Sequence, residues 1–169
     1  MSFVLNCKGW SFDADLQIIH ADVYMEADGE IVIDEPLCVD VGLPALLLSA
    51  RENVSPDRWA NANEWQRMPF FVCGCGDPEC RGYSFIVEHR PGEQMIELIE
   101  VEERPSQPPR ELGRYRVDIR EYVPQVEAIG RAFLDFVRPL NYKPYYQQTV
   151  DTVKQLLEEL EAAQGLRRE

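Results

Sequence analysis

Histidine is nearly missing from this chain: two residues in 169, His20 and His89. A site built on several imidazoles, for proton transfer or for a His-rich metal cage, therefore has little to draw on. Cations are scarce as well, with 17 Lys plus Arg against 30 Asp plus Glu and a net charge of −13. Nucleic-acid binders take most of their affinity from cationic groups that displace phosphate counterions, so the acidity argues against direct nucleic-acid binding. The same repulsion argues against an anionic membrane surface. No stretch approaches the roughly 18 apolar residues of a membrane span, and residues 1–10 show no apolar run behind positive charge, so no secretory leader is expected. Catalytic templates are missing too. There is no G-x-S-x-G, no H-E-x-x-H and no G-x4-G-K-[ST], and Gly74, Gly76 and Gly82 have the wrong spacing for a dinucleotide fingerprint. Enzyme activity is accordingly not the leading expectation. The five cysteines are an odd number, scattered at Cys7, Cys38, Cys73, Cys75 and Cys80. That is no disulfide framework, and it suits a reducing, cytoplasmic compartment.

What is present is a globular composition, 45% hydrophobic and 28% charged. A chain of this length forms one domain and buries about 70% of its unfolded surface, enough for a core without cross-links. Phe12, Ala14, Leu16 and Ile18 alternate with Asp13, Asp15 and Gln17, and the phase then slips to Ala21, Val23 and Met25, which predicts a bulge or turn near Ile19 and His20. Asp28-Gly29 predicts a hairpin folding 22–26 against 31–35. A short helix is expected over 42–51, with Pro44 in its first turn. Further strands are predicted over 70–73, 83–89 and 94–102, a long proline-rich loop over 103–113, and a last strand over 114–120. From Glu121 the period becomes helical. Val126, Ile129, Phe133, Phe136, Val137 and Leu140 share one face, and Tyr146, Val150, Val153, Leu157 and Leu160 share another, with Gly165 as a stop. The fold class is α+β: antiparallel strands from 2–40 and 69–120, in one sheet or two, covered by about three helices at 42–51, 121–138 and 144–164. Residues 1–169 read as one domain, with 144–169 a candidate helical appendage.

The most specific local feature is Cys73-Gly74-Cys75-Gly76-Asp77-Pro78-Glu79-Cys80. Three thiols in a Gly-, Asp- and Pro-rich turn can converge on a tetrahedral zinc, which needs a fourth ligand from His89, His20, Cys7 or Cys38. The alternatives are a tight hairpin whose cysteines act as small hydrophobes, a redox role, or a nucleophile pair of Cys75 with His89. Because C-x2-C at a helix start is absent, redox use is the weakest of these. The knuckle resembles that of small bacterial proteins, without an assigned activity, that carry C-x-C-G-x3-C, here Cys73, Cys75-Gly76 and Cys80, over about residues 68–140. The resemblance implies a bacterial cytoplasmic protein, and some proteins of this kind look like immunity proteins or antitoxins.

Charge is unevenly spread. Residues 1–50 hold nine acids and one base, Lys8, and so carry eight of the thirteen net negative charges. Asp13, Asp15, Asp22, Glu26, Asp34 and Glu35 are the candidate partner-binding residues of that acidic face, and a basic protein is the partner they suit. A nucleic-acid mimic is the other use for such an array. Arg114, Arg116 and Arg120 are expected opposite Glu97, Glu100 and Glu102 as cross-strand pairs, ahead of an anion site. Pro105–Arg110 matches P-x-x-P-x-R but reads first as a connector.

Overall fold

A computed structural model describes residues 2–61, 63–73 and 82–168. The architecture is α+β, with two three-stranded antiparallel sheets and three helices, two of them C-terminal. Strands β1 (Phe3–Asp13), β2 (Ile18–Ala27) and β3 (Glu30–Cys38) form one meander and lead into the short helix α1 (Leu43–Leu48). Strands β4 (Ser84–Arg90), β5 (Met95–Arg104) and β6 (Gln107–Asp118) form the second and lead into α2 (Ile119–Val137). Helix α3 (Thr149–Arg168) ends the chain. The element order β-β-β-α thus occurs twice before α3.

In the first sheet, Asp28 and Gly29 have φ of 52° and 82°, the pair of positive values that a two-residue type I′ turn requires, and Ala27 pairs with Glu30. The predicted hairpin is present, with Tyr24 opposite Asp34. The break between β1 and β2 lies elsewhere than expected. The turn spans Ala14 to Gln17, so Phe12 and Ile18 belong to different strands. It uses neither Gly nor Pro: Asp13 Oδ1 accepts from the amides of Asp15 and Leu16, both at 3.0 Å, and Gln17 takes a φ of 55°. The slip in phase has a separate cause, a β-bulge between Lys8 and Ser11. Gly9 holds it at φ +62°, where a Cβ would stand 2.7 Å from Asp22 Oδ2. Phe3 and Leu5 therefore face the core before the bulge, and Trp10 and Phe12 after it.

In the second sheet the proline-rich segment is strand, not loop. Arg104 pairs with Gln107 across a turn of Pro105 and Ser106, the latter at φ 56°. Proline at the second turn position presets φ, and β6 is an edge strand, where missing N–H groups are tolerated. A register shift places Pro108 and Pro109 between the Arg104 and Glu102 pairings, and the Arg104 guanidinium donates to the Pro108 carbonyl at 2.8 and 3.2 Å. The P-x-x-P-x-R segment is thereby built into a hairpin. The strand predicted over 70–73 reduces, among the described residues, to one bridge between Phe71 and Tyr83. The last strand stops at Asp118, whose side chain accepts from the Arg120 amide and caps α2, so Arg120 lies on the helix.

Both meanders and all three helices share one core, in which Met25, Ile33, Phe70, Phe85 and Tyr122 are almost wholly buried. Helix α3 contributes Val153, Leu156, Leu157 and Leu160, and a Cβ on Gly130 of α2 would stand 3.1 Å from Leu157 and 3.2 Å from Leu47. The three helices meet there at close range. The buried Glu127 of α2 accepts from Arg131 at 2.9 Å and from Gln164, while Arg131 also reaches Glu161 at 2.8 Å, tying α2 to α3. Helix α3 runs through Gly165, where a Cβ would meet nothing, so glycine does not stop it.

Candidate functional site

The pleat and register of the first sheet sort the acidic candidates. Asp22 is flanked by Lys8 and Pro36, and Tyr24 by Asn6 and Asp34, while Glu26 lies opposite Val4 and Ile31. Successive side chains alternate faces, so Asp22, Tyr24, Glu26 and Asp34 share the outer face while Val23, Met25 and Ile33 point into the core. A recess of about 400 Å³ lies on this face, lined by Asn6, Lys8, Asp22, Val23, Tyr24 and Asp34. The Tyr24 hydroxyl donates to Glu26 at 3.3 Å, and its pKa is raised by desolvation and by the negative field of Glu26 and Asp34. Ile31, 57% exposed, adds apolar surface at the end of the sheet.

Glu35 does not belong to this face; it alternates with Asp34 and Pro36 on the side of Ile33 and Leu37. Asp13 and Asp15 sit in the β1–β2 turn, and Asp13 serves there as the acceptor that shapes the turn. The structure thus brings together three of the six, Asp22, Glu26 and Asp34.

The ion pairing of the two sheets differs sharply. Glu97 of β5 holds Arg90 at 3.0 Å and Arg114 at 2.5 Å, which keeps its carboxyl below the usual range, Arg90 contributing most. Glu102 pairs with Arg110 at 3.0 Å, Glu111 with Arg114 at 2.8 Å, and Glu93 with Arg116. Arg120 pairs with Asp118 at 2.8 Å, not across the sheet. The arginine-rich strand is therefore neutralised by its neighbours, as its sequence suggested, though with partly different partners. Among the described residues, Asp22, Glu26 and Asp34 form no ion pair, even though Lys8 stands directly opposite Asp22.

Of the four metal-ligand candidates, Cys75 and Cys80 lie outside the described residues. Cys73 is partly buried two residues beyond the Phe71–Tyr83 bridge. His89 lies six residues further along β4 from Tyr83, about 20 Å at the rise of an extended strand. The bridge is antiparallel, so Cys73 runs away from it, and the structure does not bring Cys73 and His89 together. Nε2 of His89 bonds the Ser49 carbonyl at 2.8 Å, and its backbone amide donates to Asn53 at 2.7 Å. His89 instead lines a cleft of about 590 Å³ with Arg51, Arg90 and Arg120. Each of these arginines is engaged by a carboxylate, Glu159, Glu97 or Asp118. No group of three or more metal-ligating side chains occurs among the described residues. No helix is long and apolar enough to cross a membrane.

One group escapes a reading of the sequence by charge. Asp40, which follows β3, is 1% exposed. Its Oδ2 accepts from the Tyr142 hydroxyl at 2.6 Å, and its Oδ1 has no hydrogen-bond partner. Burial raises its pKa, against the opposing pull of the Tyr142 bond and of the backbone amides of Asp40, Ile19 and Val41. Tyr142 packs edge-on against Phe12 and Phe133, with ring centroids 6.0 and 6.2 Å away. The only local signal for Asp40 is its place in an apolar run, Leu37-Cys38-Val39-Asp40-Val41; its partner is 102 residues away. In comparisons with known proteins, no family model, no curated protein and no solved structure matches the chain.

Proposed function

We propose that this protein is a non-enzymatic binding module that offers the outer face of its first sheet to a basic protein. The observation that carries the reading is the contrast in pairing: Glu97, Glu102 and Glu111 of β5 and β6 are met by arginines, while among the described residues Asp22, Glu26 and Asp34 form no ion pair. Carboxylates left in this state raise the local potential, steer a cationic partner and select against anionic ones. Tyr24, beside the 400 Å³ recess, supplies the aromatic contact area that interface centres favour. A partner Lys or Arg entering that recess meets the carboxylates of Asp22 and Asp34, with the Lys8 ammonium at the same recess. An immunity protein or antitoxin against a cationic toxin is the biological class that this surface and the knuckle resemblance jointly suit.

The reading is tested by amide NMR of the full chain titrated with a decalysine peptide in moderate salt. Shifts concentrated on β1, β2 and β3 around Asp22, Tyr24 and Asp34 support it. Shifts spread evenly over α2, α3 and the second sheet overturn it, because the net charge alone would produce that pattern.

A further inference from the structure

We propose that the chamber at Asp40 is a binding site for a single primary ammonium group. The proposal stands apart from the acidic outer face, because Asp40 is buried beyond the end of β3 and its chamber shares no lining residue with the recess at Asp22 and Asp34.

Asp40, between β3 and α1, lines a small chamber together with Trp65, which lies between α1 and β4, with Tyr142, Tyr145 and Tyr146 of the connector between α2 and α3, and with Thr149 at the start of α3. A buried carboxylate is costly unless it is paired with a cation or fully hydrogen-bonded. Asp40 accepts one side-chain bond, from Tyr142; the backbone amides of Asp40, Ile19 and Val41 also favour its charged form, and no Lys or Arg pairs with it among the described residues. Its second oxygen is open. The space beside it is about 10 Å³, the volume that one water-sized group occupies. A primary ammonium head has that size; a quaternary ammonium head does not fit.

The lining includes the donor-only Trp65 indole N–H, but three of its oxygens can accept from an entering group. The Tyr142 hydroxyl spends its proton on Asp40, and the Thr149 hydroxyl spends its proton on the Tyr146 carbonyl at 2.7 Å. Asp40 Oδ1, Tyr142 Oη and Thr149 Oγ1 are thereby left as acceptors. A primary ammonium group donates three hydrogen bonds and so can serve all three of these acceptors, whereas a water molecule donates only two. Trp65, Tyr145 and Tyr146 add aromatic faces, which attract a cation through their ring quadrupoles. Tyr145 is 47% exposed and marks the side from which such a group enters. Both a small free amine and a lysine side chain present this chemistry.

The test is NMR of the full chain titrated with methylammonium chloride, reading the Trp65 indole resonance, which is assigned by comparison with Trp65→Phe. Sodium chloride at equal ionic strength and tetramethylammonium chloride are the controls. A saturable shift with methylammonium, at a dissociation constant in the range of about 1–50 mM, is expected for so small a ligand. Asp40→Asn, which keeps the shape and removes the charge, weakens it at least about tenfold, a loss modest for a buried charge pair. A thermal melt of that variant confirms that it is folded, and Tyr146→Leu provides a second weakened variant that leaves the carboxylate in place. Nα-acetyl-lysine amide in a parallel titration separates the two sources: binding assigns the site to lysine side chains, and no binding to small amines. The proposal is overturned if methylammonium gives no saturable shift, if sodium or tetramethylammonium gives the same one, or if Asp40→Asn binds equally well.

Discussion

Tyr142→Phe is a near-isosteric change that isolates one hydroxyl. The ring keeps its edge contacts with Phe12 and Phe133, and only the 2.6 Å bond to Asp40 is lost. Both Asp40 oxygens then lack a side-chain donor in a site that is 1% exposed. A hydrogen bond to a charged group is worth about 1.5–3 kcal/mol, and one to a neutral group about 1 kcal/mol. The cost of the substitution must therefore depend on the charge of Asp40. Burial raises the folded-state pKa of Asp40 above the ordinary aspartate value of 3.8, so the folded protein holds the proton more tightly than the unfolded chain does. For such a group stability is greatest below the unfolded pKa and is lost as pH rises through the folded one. Removing the hydroxyl, which favours the anion, raises the folded pKa further and enlarges that loss. Urea unfolding at pH 4 and at pH 8.5 should thus show a Tyr142→Phe penalty of about 1 kcal/mol in acid and about 2–3 kcal/mol in base. In thermal melts each kcal/mol amounts to about 2–4 °C for a chain of this size. A penalty that is the same at both pH values, or larger in acid, would show that the Tyr142 hydroxyl does not stabilise an ionised Asp40.

Other outcomes follow from single contacts. Gly9→Ala places a Cβ 2.7 Å from Asp22 Oδ2 at a φ of +62°, and chemical denaturation should show a loss of about 1–2 kcal/mol. Leu157→Ala opens space between α3, Gly130 and Leu47 and should cost about 2–5 kcal/mol by the same assay; a cost near zero would mean that α3 does not pack as described. Cys7 has its thiol pushed up to about 12 by burial, so peptide mapping after iodoacetamide at pH 8 should find it unmodified in folded protein and modified in urea. His89→Ala should leave unchanged any zinc that the chain takes up at Cys73, Cys75 and Cys80, as measured by elemental analysis; metal lost with His89 would contradict its separation of about 20 Å along β4 from the Phe71–Tyr83 bridge.

Much of the fold can be read from local chemistry. Asp28-Gly29 announces a type I′ turn, and the helical spacing from Val126 to Val137 announces the buried face of α2. Misreadings arise where an unusual residue does a local job. The β1–β2 turn hides because Asp13 and Gln17 build it without Gly or Pro, while the bulge that shifts the phase is one glycine earlier in the strand. Pro108 and Pro109 suggest a loop, yet an edge strand with a register shift absorbs them. For the acidic surface, composition located the charge in the first 50 residues, but only the pairing register separates Asp22, Glu26 and Asp34 from the inward-facing side of Glu35. Asp40 stayed concealed for a different reason. Its chamber is assembled from α3, the connector before it and a segment near Trp65, and no spacing within a chain encodes a contact over 102 residues.

The central claim, that the outer face of the first sheet is what this protein offers to a basic partner, is tested most directly by two variants that remove the same charge from different places. One carries Asp22→Asn, Glu26→Gln and Asp34→Asn; the other carries Glu93→Gln, Glu102→Gln and Glu111→Gln, whose carboxylates already hold arginines. Affinity for decalysine is then measured by calorimetry at equal salt. A fall of about tenfold or more is expected for the first variant and little change for the second, because carboxylates already paired contribute little to a new partner. Equal losses in the two variants would contradict it, since they would reduce the surface to net charge alone.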